Sequence, residues 1–188
     1  MPKERKPLVA VLMGSDSDYE TMQETEKLLD RFDVPYATHV TSAHRAAKRT
    51  HRIVEELEER GVRVFIVGAG LAAHLAGAVA AVTTLPVIGV PMASGSLEGV
   101  DALYSTVQMP SGVPVATMAI GGHGAKNAAV LAAEIVALQD PKLREKLTAY
   151  REEMERSVEE KDRQISGARE LSAESVSDAI KELTPEGE

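Results

Sequence analysis

The sequence predicts an α/β fold: a three-layer αβα sandwich around a central parallel sheet, followed by a helical arm. Three observations predict it. Apolar runs at residues 8–13, 64–67 and 87–90 are hydrophobic on both faces, as strands covered by helices on both sides must be. Each run ends in a turn and is followed by a segment of helical period or by a polar loop leading to one. Residues 64–97 contain no Asp, Glu, Lys or Arg, yet Gly68, Gly70, Gly77, Thr83, Thr84 and Pro86 cut them into pieces too short for one membrane-spanning helix. The pieces read as strand, glycine turn, small-residue helix, turn and strand. That helix is apolar all round, so it is expected to be buried on every side, with a second subunit covering one face.

Residues 7–13 form the first strand. It ends in Gly14-Ser15-Asp16-Ser17-Asp18, and a helix follows to about Arg31 with Met22, Leu29 and Phe32 on one face. Ser and Asp are favoured N-caps, which accounts for at least one of these residues. One cap needs one residue, however, and the turn supplies a glycine and four polar side chains. Where a parallel strand gives way to a helix, backbone N–H groups and the helix dipole favour an anion. The turn is therefore a candidate for binding phosphate or another polar ligand.

Asp33-Val34-Pro35 is a turn, and residues 36–40 are a second, more polar strand placed towards a sheet edge. It runs into Thr41-Ser42-Ala43-His44-Arg45. The helix after it, to about Arg60, turns Ile53, Val54 and Leu57 inward and Glu55, Glu56, Glu58 and Glu59 outward, and Gly61 stops it. Ser42 suits an N-cap, Arg45 a solvated surface, and a lone histidine such as His44 is by default an exposed one. A hydroxyl and a guanidinium at a helix start also suit a phosphate, and a histidine beside them can move protons near neutral pH.

The third turn, Gly68-Ala69-Gly70-Leu71-Ala72-Ala73, matches the dinucleotide-binding fingerprint only superficially. The acidic residue expected at the end of the next strand is missing from Gly89-Val90-Pro91. Its glycines instead let a small ligand approach the backbone, and His74 is the one polar side chain nearby. A polar loop, Met92-Ala93-Ser94-Gly95-Ser96, precedes a helix over residues 97–108 with Leu97, Val100, Tyr104 and Val107 on one face. Residues 113–120 form a fifth strand, Gly121-Gly122-His123-Gly124 a glycine turn, and residues 125–138 an Ala-rich buried helix.

From Asp140 the composition changes. Leu143, Leu147, Tyr150, Met154 and Val158 form a one-sided stripe on a charged helix, broken at Ser166-Gly167-Ala168, with a short further helix over residues 173–183. Residues 1–139 are thus expected to form the α/β catalytic domain, and residues 140–188 an arm packing on a neighbouring subunit. Five strands alternating with helices predict the flavodoxin-like strand order, in which ligands bind beyond the carboxyl ends of the strands. The first three strand-to-helix turns meet there.

Bulk properties narrow the function. A net charge of −8 argues against nucleic-acid binding, which needs a basic surface. The absence of Cys excludes disulfides, thiol nucleophiles and Cys-ligated metals, and fits the cytoplasm. The charged start, Met1-Pro2-Lys3-Glu4-Arg5-Lys6, is not followed by a cleavable apolar segment. No metal cluster is apparent, and aromatics at 3% leave a core of small aliphatic side chains.

Several motifs, in order, resemble the class I PurE family of purine biosynthesis, whose members are N5-carboxyaminoimidazole ribonucleotide mutases. They are Met13-Gly14-Ser15-Asp16-Ser17-Asp18, Ser42-Ala43-His44-Arg45, Gly68-Ala69-Gly70 with Ala72-Ala73-His74-Leu75, Gly99-Val100-Asp101, and Val107-Gln108-Met109-Pro110. The likeness spans residues 8–138. It implies a homo-octamer with active sites at subunit contacts and a ribonucleotide substrate. It implies that Gly14 lies in the site, that Ser15 and Asp18 hold the ribose region, and that Ser17, Ser42 and Arg45 hold the 5'-phosphate. His44 would be the general acid and base. Gly70, Leu71 and Ala72 would line a pocket for the carboxylate or enclosed CO2, with His74 close by, and the segment carrying Ser105 and Met109 would help close the site. No cofactor, metal or membrane is implied.

The sequence departs from the family pattern at Ala46-Ala47, at Leu71 where a third glycine is usual, at Ala76 where proline is common, and at His123. Three other readings stand beside the mutase. Direct carboxylation of aminoimidazole ribonucleotide by CO2 shares the histidine and the phosphate grip. A non-catalytic nucleotide-binding module would not need His44. A nicotinamide-dependent oxidoreductase would need the missing acid near Val90.

Overall fold

The computed structural model describes residues 5–183, and the side chains of residues 5–166. The expected lack of a signal segment rests partly on Met1 to Glu4, which lie outside the described residues. Five parallel strands form one sheet: β1 (Val9–Met13), β2 (Tyr36–Val40), β3 (Val64–Ala69), β4 (Val87–Pro91) and β5 (Ala116–Thr117), in the order β2-β1-β3-β4-β5. This is the flavodoxin-like order. Every residue of β1, β3 and β4 is buried, whereas β2 at the edge is half-buried to exposed.

The helices are α1 (Tyr19–Phe32), α2 (Ala47–Glu59), α3 (Leu75–Ala80), α4 (Val100–Val107), α5 (Gly122–Ala137) and α6 (Pro141–Leu183). One face of the sheet sends Ala10, Leu12, Phe65, Val67 and Val87 into a core shared with Ile53, Val54 and Leu57 of α2, Leu75, Ala76 and Val79 of α3, and Ala102 of α4. Strand alternation sends the neighbouring residues to the other face, where α1 and α5 pack together against β1, β3 and β4. There the wholly buried Thr25 Oγ1 of α1 donates to the carbonyl of Ala125 at 2.8 Å, tying α1 to α5.

Two expectations change, for the fifth strand and for the C-terminal helix, and two other helices are defined more closely. The fifth strand shrinks to Ala116–Thr117, paired with Ile88 and Gly89. Pro114 has no N–H to give to a ladder, so the strand forms only beyond it. The small-residue helix is only six residues long, and Gly77, Ala78 and Ala80 stay partly exposed within one chain. The stripe on α4 and the residues before it faces outward: Leu97, Val100, Tyr104 and Val107 are 58, 44, 61 and 48% exposed, while Ala102 and Thr106 face the sheet. Finally, α6 runs without a break through Ser166-Gly167-Ala168 and over residues 173–183.

Gly89 explains the choice of face on α4. A Cβ there would lie 2.4 Å from Thr106 Cγ2 and 2.9 Å from Val115 Cγ1, so the small face of α4 fits closely against β4. The chain divides into two compact units, residues Met1–Leu147 and residues Thr148–Glu188, and the division falls inside α6. In the first unit Leu143 and Leu147 are buried; in the second Met154, Val158 and Ile165 are exposed. Among the described residues no helix is long and apolar enough to cross a membrane.

Candidate active site

The carboxyl ends of β1, β2, β3 and β4 open onto one cleft of about 420 Å³. It is lined by Gly14, Ser15, Ser17, Asp18, Ser42, Ala43, His44, Arg45, Ala69, Gly70, Leu71, Ala72, His74, Leu75 and Ser94. The volume suits a small polar ligand of nucleotide size. The backbone staples the turns together as the strands end: Gly14 N donates to Gly68 O at 3.0 Å, Thr41 N to Met13 O at 2.9 Å, and Met92 N to Ala69 O at 2.9 Å.

The first turn caps itself. Residues Asp16–Asp18 form a 3-10 turn in which Ser15 Oγ accepts from Ser17 N at 3.3 Å and Asp18 Oδ2 accepts from Ser15 N at 3.1 Å, a reciprocal capping box. The capping expected of one residue is shared by two. Ser17 N also donates to Asp16 Oδ1, so this amide is occupied by the protein's own groups. The Ser15 and Ser17 hydroxyls touch at 2.9 Å and face the cleft as a pair. Burial pushes the Asp18 carboxyl above the usual carboxylate range, and its bonds from the Ser15 and Gly14 amides only partly offset this.

The second turn is longer than the sequence suggests. Residues 42–46 form a separate loop before α2, closed by Ala46 N to Ser42 O at 2.9 Å and by Arg45 N to Ser42 Oγ at 3.2 Å. Ser42 therefore caps the loop and not α2. This loop sends two consecutive side chains in different directions. Arg45 reaches the first turn, where Nη2 donates to Gly14 O at 3.3 Å, with a long contact from Nε to Ser42 Oγ at 3.5 Å. His44 reaches the third turn, where its Nε2 lies 2.7 Å from His74 Nδ1. The two imidazoles meet edge-on, with centroids 4.9 Å apart and planes at 79°. One ring donates this hydrogen bond and the other accepts it, so each fixes the tautomer of the other.

The third turn keeps side chains small where the chain crosses the loop after β4. A Cβ on Gly70 would lie 2.4 Å from Ser94 Oγ. Leu71 has a left-handed backbone, with φ of 54°, and Ala73 is buried.

The structure thus gathers Gly14, Ser15, Ser17, Asp18, Ser42, His44, Arg45, Gly70, Leu71, Ala72 and His74 around one cleft. It does not bring Ser105 or Met109 to that lining. Ser105 Oγ donates to Asp101 O at 2.7 Å inside α4, and Met109 packs beside Gly77. Ser94 was not among the expected site residues. Its signal was its place in the loop after β4, at the same sheet edge as the other turns. His123 is exposed at the start of α5 and is not part of the cleft lining. Among the described residues no group of three or more His, Asp or Glu is placed to hold a metal ion.

Comparison with known proteins adds the chemistry. The family model described as AIR carboxylase matches residues 8–157. An N5-carboxyaminoimidazole ribonucleotide mutase of Pyrococcus horikoshii is 51% identical over 163 residues, covering 87% of this chain and 91% of that protein. The mutase of the same description from Bacillus subtilis is 51% identical over 160 residues, covering 85% of this chain and 99% of its own. A crystal structure of Treponema denticola PurE superposes with a TM-score of 0.77 at 33% identity, covering 84% of this chain and 98% of the other.

Proposed function

Because the chain belongs to the AIR carboxylase family, we propose that it is an N5-carboxyaminoimidazole ribonucleotide mutase of purine biosynthesis. The observation that carries the reading is the divergence of His44 and Arg45. Adjacent in sequence, they contact different turns of one cleft, Arg45 the hydroxyl-lined first turn and His44 the histidine beside the glycine-alanine third turn. A substrate with a phosphate at one end and a labile carboxyl group at the other fits that polarity.

In this reading Arg45, Ser42 and Ser17 hold the 5'-phosphate, and Ser15 and Asp18 hold the ribose. The grip orients the base far from the reacting atoms. The carbamate N–C bond breaks, its electron pair returns to nitrogen, and nitrogen takes a proton from His44. The CO2 released stays beside Gly70, Leu71 and Ala72. Carbon C4 of the aminoimidazole attacks it, forming the new C–C bond. The C4 proton then passes to His44, which restores aromaticity and returns the histidine to its starting state. No net proton is consumed, and one histidine serves both steps. His74 holds the His44 ring at the angle needed.

The outward apolar face of Leu97, Val100, Tyr104 and Val107 supports assembly into a homo-octamer, with a second copy covering α4 and bringing Ser105 and Met109 near a neighbouring cleft. The exposed Met154, Val158 and Ile165 support an arm over residues 140–188 that lies on a neighbouring subunit. We place the enzyme in the cytoplasm, which fractionation checks. Light scattering tests the octamer, and a monomer would refute it.

The decisive assay offers the purified protein N5-carboxyaminoimidazole ribonucleotide, or aminoimidazole ribonucleotide with bicarbonate, and follows 4-carboxy-5-aminoimidazole ribonucleotide. Fast turnover of the first alone is expected. Fast turnover of the second would make the protein a direct carboxylase, and turnover of neither would return it to nucleotide binding.

A further inference from the structure

The loop that presents Ser42, His44 and Arg45 lacks the anchor that a helix start normally gives. Helix α2 begins at Ala47, and its N-cap is Ala46, with φ of −148° and ψ of 46°. Alanine has no side-chain oxygen to bond the free amides of the first turn. Ala46-Ala47 is also where the sequence departs from the family pattern.

Two buried hydroxyls close the loop instead. Thr41 stands just before it and Thr50 lies in the first turn of α2, and they are 4% and 0% exposed. Their Oγ1 atoms lie 2.9 Å apart, and Thr50 Oγ1 also bonds Ala46 O at 3.3 Å. A hydroxyl has one proton to give, and a carbonyl only accepts. The Thr50 proton therefore goes to Ala46 O, and Thr41 is the donor to Thr50. A threonine bonding the carbonyl four residues back is ordinary in a helix; a second hydroxyl reaching it from the far end of a loop is not. Backbone bonds extend the chain at both ends. Thr41 N donates to Met13 O of β1 at 2.9 Å, and Ala46 N donates to Ser42 O at 2.9 Å.

Stability alone does not call for this pair. Two valines of the same shape would fill the space without burying hydroxyls, at nearly equal stability. What the hydroxyls add is a fixed distance between the entry and the exit of residues 42–46. From that loop Arg45 reaches Gly14 O and His44 reaches His74.

We propose that Thr41 and Thr50 are positioning residues that set the aim of His44 and Arg45, standing in for a helix cap. They act through the backbone of the loop and touch no substrate. The proposal rests on the mutase reading for the roles of the two side chains they aim.

The test compares full-length wild type with the double variant Thr41→Val/Thr50→Val, which removes both hydroxyls and keeps their shape. The melting temperature is expected to stay within about 3 °C. At a temperature where both proteins are folded, kcat with N5-carboxyaminoimidazole ribonucleotide is expected to fall about ten- to 100-fold, the scale of a reacting group misplaced by up to about 1 Å. Hydrogen exchange of the Arg45 and Ala46 amides, both bonded to Ser42, is expected to quicken about tenfold while that of β1 does not change. Thr50→Ser, which keeps the hydroxyl, retains wild-type exchange and turnover. Adding Ala46→Ser to the double variant gives α2 a capping hydroxyl and recovers part of the loss. Unchanged turnover in the double variant, or turnover lost without faster exchange, overturns the proposal. So does an equal loss in Thr50→Ser, and a failure of Ala46→Ser to recover anything overturns the substitution for a cap. If the double variant does not fold, Thr41→Val decides by the same readouts. It leaves the Thr50 bond to Ala46 O, so a smaller loss is expected and no loss overturns the pair. Wild type that converts no substrate overturns the mutase reading, and exchange alone then decides whether the pair holds the loop.

Discussion

Replacing Arg45 with alanine tests the polarity of the cleft. A guanidinium has five N–H donors, and here Nη2 gives one to Gly14 O and Nε gives one, at long range, to Ser42 Oγ. Three donors remain, enough for a bidentate contact to a phosphate while the arginine stays tethered to both turns. Hydrogen bonds to charged groups contribute roughly 1.5–3 kcal/mol each. Arg45 is exposed, so water and salt screen the pair, and about 2–3 kcal/mol for the whole contact is the appropriate scale. Arg45→Ala is therefore expected to lower kcat/KM by about 30- to 150-fold for the nucleotide. Arg45→Lys, which keeps the charge but loses the planar fork, falls between. The assay compares the nucleotide with its dephosphorylated nucleoside in wild type and variant. If Arg45 holds the phosphate as proposed, the variant's loss with the nucleoside is within about twofold of none, far below the nucleotide's. An equal loss with both substrates would refute the assignment and make Arg45 a support for the Gly14 turn alone.

Three further outcomes follow from other parts of the molecule. His44→Asn is expected to keep phosphate-ligand affinity by calorimetry while turnover drops at least about 100-fold, the least that loss of a positioned acid and base costs; full activity would remove His44 from the mechanism. Asp18→Asn is expected to raise the melting temperature at neutral pH. With the folded carboxyl's pKa raised, the native state binds the proton more tightly than the unfolded chain, so wild-type stability falls as pH climbs from the ordinary aspartate value of 3.8 through the folded value. The variant's advantage should open over that window and vanish below it; an advantage independent of pH would point to another cause. Gly89→Ala is expected to cost about 1–3 kcal/mol, or roughly 3–10 °C in calorimetry, because its Cβ meets two β-branched side chains. Thr106→Ser removes one of the two overlaps and should recover part of the loss; full stability in Gly89→Ala would show that α4 is not held closely by β4.

The parts of the fold that were legible were those where one physical demand dominates. Strands β1, β3 and β4 are buried on both faces, so their sequences carry no polar residue and their place in the middle of the sheet follows. The first three turns were legible as neighbours around one cleft because strand-to-helix turns of a parallel sheet meet at one edge. What was not legible depends on balances between elements far apart in the chain. The Ser166-Gly167-Ala168 segment read as a break, yet a helix-interior glycine costs only about 1 kcal/mol. Just before it, Ser166 Oγ bonds Asp162 O, and Arg163 and Gln164 both bond Glu160. The contact between His44 and His74 spans thirty residues and two turns, and no local spacing encodes it.

The α4 face shows the same limit and gives it a functional meaning. Helical period states that Leu97, Val100, Tyr104 and Val107 share a side, and ordinarily the larger apolar side faces the core. Here Gly89 reverses the choice: only alanine and threonine fit between α4 and β4, and the larger residues are left outside. A chain that needed α4 only for its own core would place the bulk inward, where each such side chain stabilises by roughly 1.5–3 kcal/mol when fully buried. The four exposed side chains are the surface on which the proposed homo-octamer would complete the burial. Met109 packs beside Gly77, and Ser105 sits within α4 away from its own chain's cleft. One geometric cause, a glycine in β4, therefore accounts for which side of α4 turns inward and for the apolar face left outward, the face that the proposed homo-octamer would cover.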